Sequence, residues 1–253
     1  MTSDAGTRAD EARPLLDRFI ADARRAVPLD ALWVHGSLAL GDFQPGRSDI
    51  DLVALTATTL SDPHRRDLQR VHEALRGEMP LADKLHCSYI ARPDLADVGR
   101  DHVTWAHGKL FERIVSPVTR RELTHGGLPL VGPSPAAVVP VVTDQELADY
   151  IRGDLRDYWY PNTARTDLWL RDIWVDLGML TLARAAVTLY EGRLITKREA
   201  LEVLADRGAP IEVLDDIYQR RYETPQPIAD EWRARRGLLA RTYVRAGIDD
   251  VLA

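Results

Sequence analysis

The segment HGSLALGDFQPGRSDIDLVAL, residues 35–55, leaves the chain few ways to fold. The apolar run ALWV stops at Gly36-Ser37, the turn-forming loop GDFQPGR follows, and Ser48 opens a second apolar run, SDIDLVALT, in which Asp49 and Asp51 stand two residues apart. Short apolar runs bounded by glycine, proline and aspartate read as strands. Side chains alternate along a strand, so both carboxylates project from one face while Ile50 and Leu52 enter the core. Such a pair suits Mg²⁺, which takes one or two carboxylates and fills its remaining positions with water and substrate phosphate. Gly36 lets backbone N–H groups approach phosphate oxygens closely, and the Ser37 hydroxyl adds a donor. Either fragment alone is ordinary, a solvated strand face or a turn; their combination at this spacing is specific.

The surrounding chain predicts a small α/β unit. Residues 8–26 carry Leu15, Leu16, Phe19, Ile20 and Ala23 at helical spacing before a turn signal at Pro28. A helix from about Pro63 to Arg76 leads to a third strand, KLHCSYI, on which Lys84, His86 and Ser88 share a polar face toward a cleft and Leu85, Cys87 and Tyr89 share the other. Between Pro129 and Val142 four prolines rule out one regular helix and predict a linker or an extended crossing. Beyond it, Thr143 with Glu146 and Thr196 with Glu199 form capping boxes, Gly192 is a C-cap, and a helix from roughly Asp167 to Tyr190 carries Ile173, Leu177 and Leu180 on a stripe continued by Arg184. The second half is therefore expected to be mostly helical.

Composition narrows the partners. With 253 residues and 45% hydrophobic content the chain can bury a core, and two modest domains are expected. The net charge of −6 and the lack of a basic run argue against nucleic acid as a partner and fit a cationic small molecule. A single cysteine excludes an internal disulfide, the polar start is unlike a signal peptide, and no uninterrupted apolar run reaches membrane-spanning length, so a cytoplasmic protein without a membrane partner is expected.

Gly36-Ser37, Gly41 and Ser48-Asp49-x-Asp51 resemble the signature of the polymerase-β-like nucleotidyltransferases. The second half, through DLGMLTLARAAVTLYEGRLITKREAL and the preceding LPLVGPSP, is similar to the bacterial streptomycin/spectinomycin adenylyltransferases. The resemblance implies an α/β nucleotidyltransferase domain at 1–140, a small mixed sheet flanked by helices, and an all-α domain at 141–253 that helps bind nucleotide and acceptor. It puts Ser37 and Ser48 on phosphates, Asp49 and Asp51 on Mg²⁺, and Arg184, Lys197 and Tyr222 on the nucleotide, ATP being the co-substrate. Lys197, just after the cap Thr196, stands at the positive end of a helix dipole, which suits phosphate. Arg184, on an apolar stripe, needs an anion, an internal partner or a route to solvent. Tyr222 rests on the resemblance alone.

The chain parts from the pattern at the third strand, where the family carries a glutamate as general base and this sequence has His86. An imidazole can take a proton near neutral pH, so His86 is either the base or a bystander, with Asp83 a substitute if the register differs. Acids from Asp144 to Asp176, interleaved with Trp159, Trp169 and Trp174, suit a polycationic sugar, and Asp172 and Asp176 are the acceptor-binding candidates. Three readings stay open: adenylylation of an aminoglycoside hydroxyl with ATP between the two domains, nucleotidyl transfer to another small molecule or a protein, and binding without turnover.

Overall fold

The computed structural model describes residues 8–253, and the chain divides between Val142 and Thr143 into two compact units. The first is built on a six-stranded mixed sheet: β1 (Leu29–His35), β2 (Ile50–Thr56), β3 (Leu85–Ala91), β4 (Asp101–Ala106), β5 (Lys109–Ile114) and β6 (Leu128–Val131), in the order β5-β4-β3-β2-β1-β6. Only β2 and β3 run parallel, because only they are joined by a crossover helix. That helix, α2 (Asp62–Glu78), starts on a Ser61 cap with Pro63 in its first turn.

Each face of the sheet is covered. Helix α1 (Arg13–Ala26) and α2 bury Leu15, Phe19 and Leu68 against Leu32, Val34, Leu52 and Cys87. On the other face Trp33, Val53, Leu55 and Ile90 pack beneath Leu123 of α3 (Pro117–Gly126). Fully burying each such side chain is worth roughly 1.5–3 kcal/mol.

Three local expectations are corrected and a fourth is narrowed. The leading helix starts at Arg13 rather than running unbroken from residue 8, with Pro14 in its first turn. β4, β5 and β6 were not foreseen; β4 and β5 join through His107-Gly108, both at positive φ (53° and 76°), as a two-residue hairpin requires. Of the two forms expected for the proline-rich stretch, the extended crossing is nearer than the free linker: Pro129 lies in β6 at the sheet edge, Pro133 O accepts the Trp33 indole N–H at 2.8 Å, and Val142 O accepts from Arg121. All seven β3 residues are buried, because Leu85, Cys87 and Tyr89 pack into the core under α1 and α2 and Ile90 into the one under α3, so the strand is not half-exposed.

The second unit is helical: α4 (Asp144–Gly153), a π-helical segment Asp154–Trp159, α5 (Asp172–Glu191), α6 (Lys197–Asp206), α7 (Ile211–Tyr222) and α8 (Asp230–Leu252). Both capping boxes are present, and Gly192 closes α5 at φ 72°. The expected helix from Asp167 is instead a 3₁₀ turn, Leu168–Leu170, and an extended Arg171 before α5 begins. Trp169 lies in the break: its fully buried ring lies where a Cβ on Gly178 would come within 2.5 Å, and its indole donates to Asn162 O. α5 is long and apolar enough on average to pass as a membrane span, but Asp172, Asp176 and Arg184 interrupt it and over half of its apolar window is buried inside the protein, as in a core helix.

Candidate active site

The sheet registers set the site. His35 pairs with Asp51 across β1 and β2, and Asp51 pairs with His86 across β2 and β3. Directly opposed residues share a face, so His35, Asp51 and His86 form one polar row where the apolar face of Trp33, Val53 and Ile90 ends. Asp49 sits just before β2 rather than on it, yet joins the same cluster: His86 Nδ1 lies 4.0 Å from Asp49 Oδ2 and 3.6 Å from Asp51 Oδ1. His86 is buried, whereas the Asp49 and Asp51 side chains keep 42% and 32% of their surface exposed, so both carboxylates face solvent. Lys84 Nζ lies 3.8 Å from Asp49 Oδ1, and the His107 ring packs edge-on against His86 at 4.8 Å.

Gly36 is dictated by this geometry. Its φ is 64°, and a Cβ there would stand 3.0 Å from Asp51 Oδ2. The turn of helix Gly36–Ala39 follows, with Ser37 in it, and Ser37 O accepts the Asp42 N–H at 2.9 Å. Ser48 is buried and its hydroxyl accepts the Gln44 N–H at 3.0 Å, so it braces the loop ahead of the aspartates. Asp83 is turned away into an exposed pair with Arg76 at 2.6 Å.

Behind Asp51 lies a pair that the sequence did not disclose. His35 Nδ1 and Glu122 Oε2 of α3 are 2.9 Å apart, and both side chains are nearly buried. Burial pulls the imidazole pKa down, but the Glu122 hydrogen bond and the charges of Asp51 and Glu122 outweigh it, so the net shift is upward. The partners are 87 residues apart, and no local pattern marks them.

In the helical unit the three proposed nucleotide residues gather around the start of α6. Arg184 Nε donates to Ile195 O at 2.9 Å, Lys197 is the first residue of α6, and Tyr222, the last of α7, lies under the Arg198 guanidinium at 3.9 Å.

The acceptor candidates stand differently. Asp176 is buried against Arg220 at 2.6 Å, and Asp172 accepts from the fully buried Arg236 at 2.7 Å, while Asp216 joins both arginines. Burial raises the Asp176 carboxyl against the pull of Arg220; for Asp172 burial is again the largest influence and pushes upward, but the Arg236 hydrogen bond and the charges of Arg236, Arg220 and Arg233 together outweigh it and lower the carboxyl. Removing one member of such a network would leave a buried charge unpaired, a loss of about 3–5 kcal/mol. Of the three tryptophans expected to offer ring faces, Trp159 and Trp169 are core residues, and Trp174 is half-buried, stacked with the exposed Tyr158.

As a cation site the aspartate pair fits Mg²⁺: two accessible hard oxygen donors with room for water and phosphate, beside a glycine that keeps the approach open. Among the described residues no group of three His, Cys, Asp or Glu closes into a metal cage.

Comparison with known proteins agrees with this architecture. Residues 16–97 match the nucleotidyltransferase domain family. No curated protein matches the chain. Among solved structures, the chain is similar to the spectinomycin adenyltransferase AAD(9) from Enterococcus faecialis, determined with ATP and spectinomycin, at a TM-score of 0.71 and 15% identity over 92% of this chain and 98% of that one. The two share a fold: a mixed sheet with flanking helices followed by a helical region.

Proposed function

From the nucleotidyltransferase domain that this chain carries at residues 16–97, we propose that the protein moves AMP from ATP to a hydroxyl of an aminoglycoside-type antibiotic. The observation that carries the reading is the Asp49 and Asp51 pair, converging beside Gly36 with both carboxylates accessible. These two residues would hold Mg²⁺, which neutralises charge developing on the triphosphate during an in-line displacement. The Gly36-Ser37 turn offers backbone N–H groups to phosphate oxygens, while Ser48 keeps the loop shaped for Asp49. Arg184, Lys197 and Tyr222 are the candidates for nucleotide contact in the helical unit. The acceptor oxygen attacks the α-phosphorus, pyrophosphate leaves, and the hydroxyl proton passes to His86, whose Nδ1 lies within 4.0 Å of both aspartates.

The acceptor follows from two supports. The structural neighbour was solved with ATP and spectinomycin, and this chain's net charge of −6 favours a cationic small molecule. Asp172 and Asp176 stay the acceptor-binding candidates, their carboxylates already paired with Arg236 and Arg220. We assign the protein to the cytoplasm, where ATP and reduced cysteine are found.

A second reading, nucleotide binding without turnover, is favoured by one observation: β3 carries His86 where the resembled family carries a carboxylate. The purified protein with ATP and Mg²⁺ and a panel of aminoglycosides and other small-molecule acceptors separates the two. Pyrophosphate release that requires both an acceptor and the metal supports transfer; ATP binding with no release for any acceptor supports the binding protein, and release with a non-aminoglycoside acceptor changes the substrate class.

A further inference from the structure

The polar row His35, Asp51 and His86 continues beyond the sheet. His35 stands beside Asp51 in register, and Glu122 reaches from α3 to hold the His35 ring at 2.9 Å. Their neighbours on this face, Trp33, Val53 and Leu123, are apolar, and an apolar pair of similar volume would be no less stable than a buried ionic one. A buried histidine and glutamate here serve geometry more than stability. The Asp51 carboxylate is hemmed in on one side by the Gly36 backbone and flanked along the sheet by His35 and His86.

We propose that His35 and Glu122 are a positioning pair that fixes the Asp51 carboxylate for metal binding. Glu122 anchors the imidazole, and the anchored ring, beside Asp51 in register and on the opposite side from His86, limits the orientations open to the carboxylate. The inference rests on the reading of Asp51 as a metal ligand. Groups that orient metal-binding side chains typically cost 10–100-fold in affinity or activity when removed.

The test uses the full chain with Glu122→Gln, His35→Gln and Asp51→Asn. Mn²⁺ binding is followed by the loss of the free-ion electron paramagnetic resonance signal, alongside thermal unfolding and turnover across metal concentrations. Glu122→Gln is expected to weaken Mn²⁺ binding about tenfold or more with Tm within a few degrees, and its turnover to recover as metal is raised. His35→Gln is expected to behave alike. If both variants bind Mn²⁺ as tightly as the parent while Asp51→Asn does not bind it, the positioning role is overturned and the metal reading stands. If Asp51→Asn binds Mn²⁺ normally, both fall. A loss of Tm that accounts for the lost activity, with metal affinity unchanged in the folded fraction, also overturns the proposal by making the pair structural.

Discussion

Replacing Gly36 with alanine probes the contact on which the site is built. At φ 64° an alanine adopts the left-handed region at a cost of about 1–2 kcal/mol. For a chain of this size that lowers Tm by roughly 2–8 °C. The added Cβ would also stand 3.0 Å from Asp51 Oδ2, closer than ordinary contact, so the carboxylate must shift by a few tenths of an ångström. Misplacing a reacting group by about 1 Å can cost 10²-fold, so a smaller shift of the metal ligand is expected to lower kcat by roughly tenfold. Gly192→Ala supplies the control: its φ is 72°, and a Cβ there meets nothing within 4 Å. Both variants should lose similar stability, measured by thermal unfolding, and only Gly36→Ala should lose turnover in a pyrophosphate-release assay. Equal kcat in the two variants would refute the argument that the close approach to Asp51 matters.

Three further outcomes follow from the same geometry. Asp49→Asn and Asp51→Asn should each abolish metal-dependent turnover with Tm shifted by no more than a few degrees, since both side chains are partly exposed; normal activity in either removes it from the metal site. His86→Ala should slow turnover by roughly a hundredfold if proton transfer limits the rate, and His86→Glu should recover activity; an Ala variant with parental kcat makes the ring a bystander. His72 is buried against Trp105 and bonded to the Tyr89 hydroxyl at 2.7 Å, and burial pulls its pKa down to about 3. The unfolded chain binds this proton near pH ~6.5 and the native protein only near 3, so stability is lost as pH falls through that window, by about 1.4 kcal/mol per pH unit. Urea unfolding at pH 7 and pH 5 should therefore show a drop of roughly 2 kcal/mol in the parent that His72→Leu lacks; equal drops would contradict the assignment.

What the sequence made legible were features whose signals are local. The aspartate spacing and Gly36 lie within 16 residues, and the boxes at Thr143 and Thr196 each span one helical turn. The features it hid depend on pairing across long separations. Glu122 meets His35 over 87 residues, and Arg236 meets Asp172 over 64, so charged residues that read as helix surface prove to be interior partners. β4 and β5 escaped notice because LFERI alternates poorly and the hairpin turn is His107-Gly108 rather than an Asn-Gly or Asp-Gly pair. Trp169 read as a ring for a ligand because composition cannot tell a sugar platform from a wedge between helices, a distinction drawn by the missing Cβ atoms of Gly178 and Gly237.

The central claim is that the α-phosphoryl group of ATP, with its nucleoside, moves to the acceptor. Incubating the protein with Mg²⁺, an aminoglycoside and ATP labelled either at the α- or at the γ-phosphorus tests it directly. The account predicts that the α-label appears on the antibiotic and the γ-label leaves as pyrophosphate; γ-label on the antibiotic, or no label transferred to any acceptor while ATP binds, would contradict it.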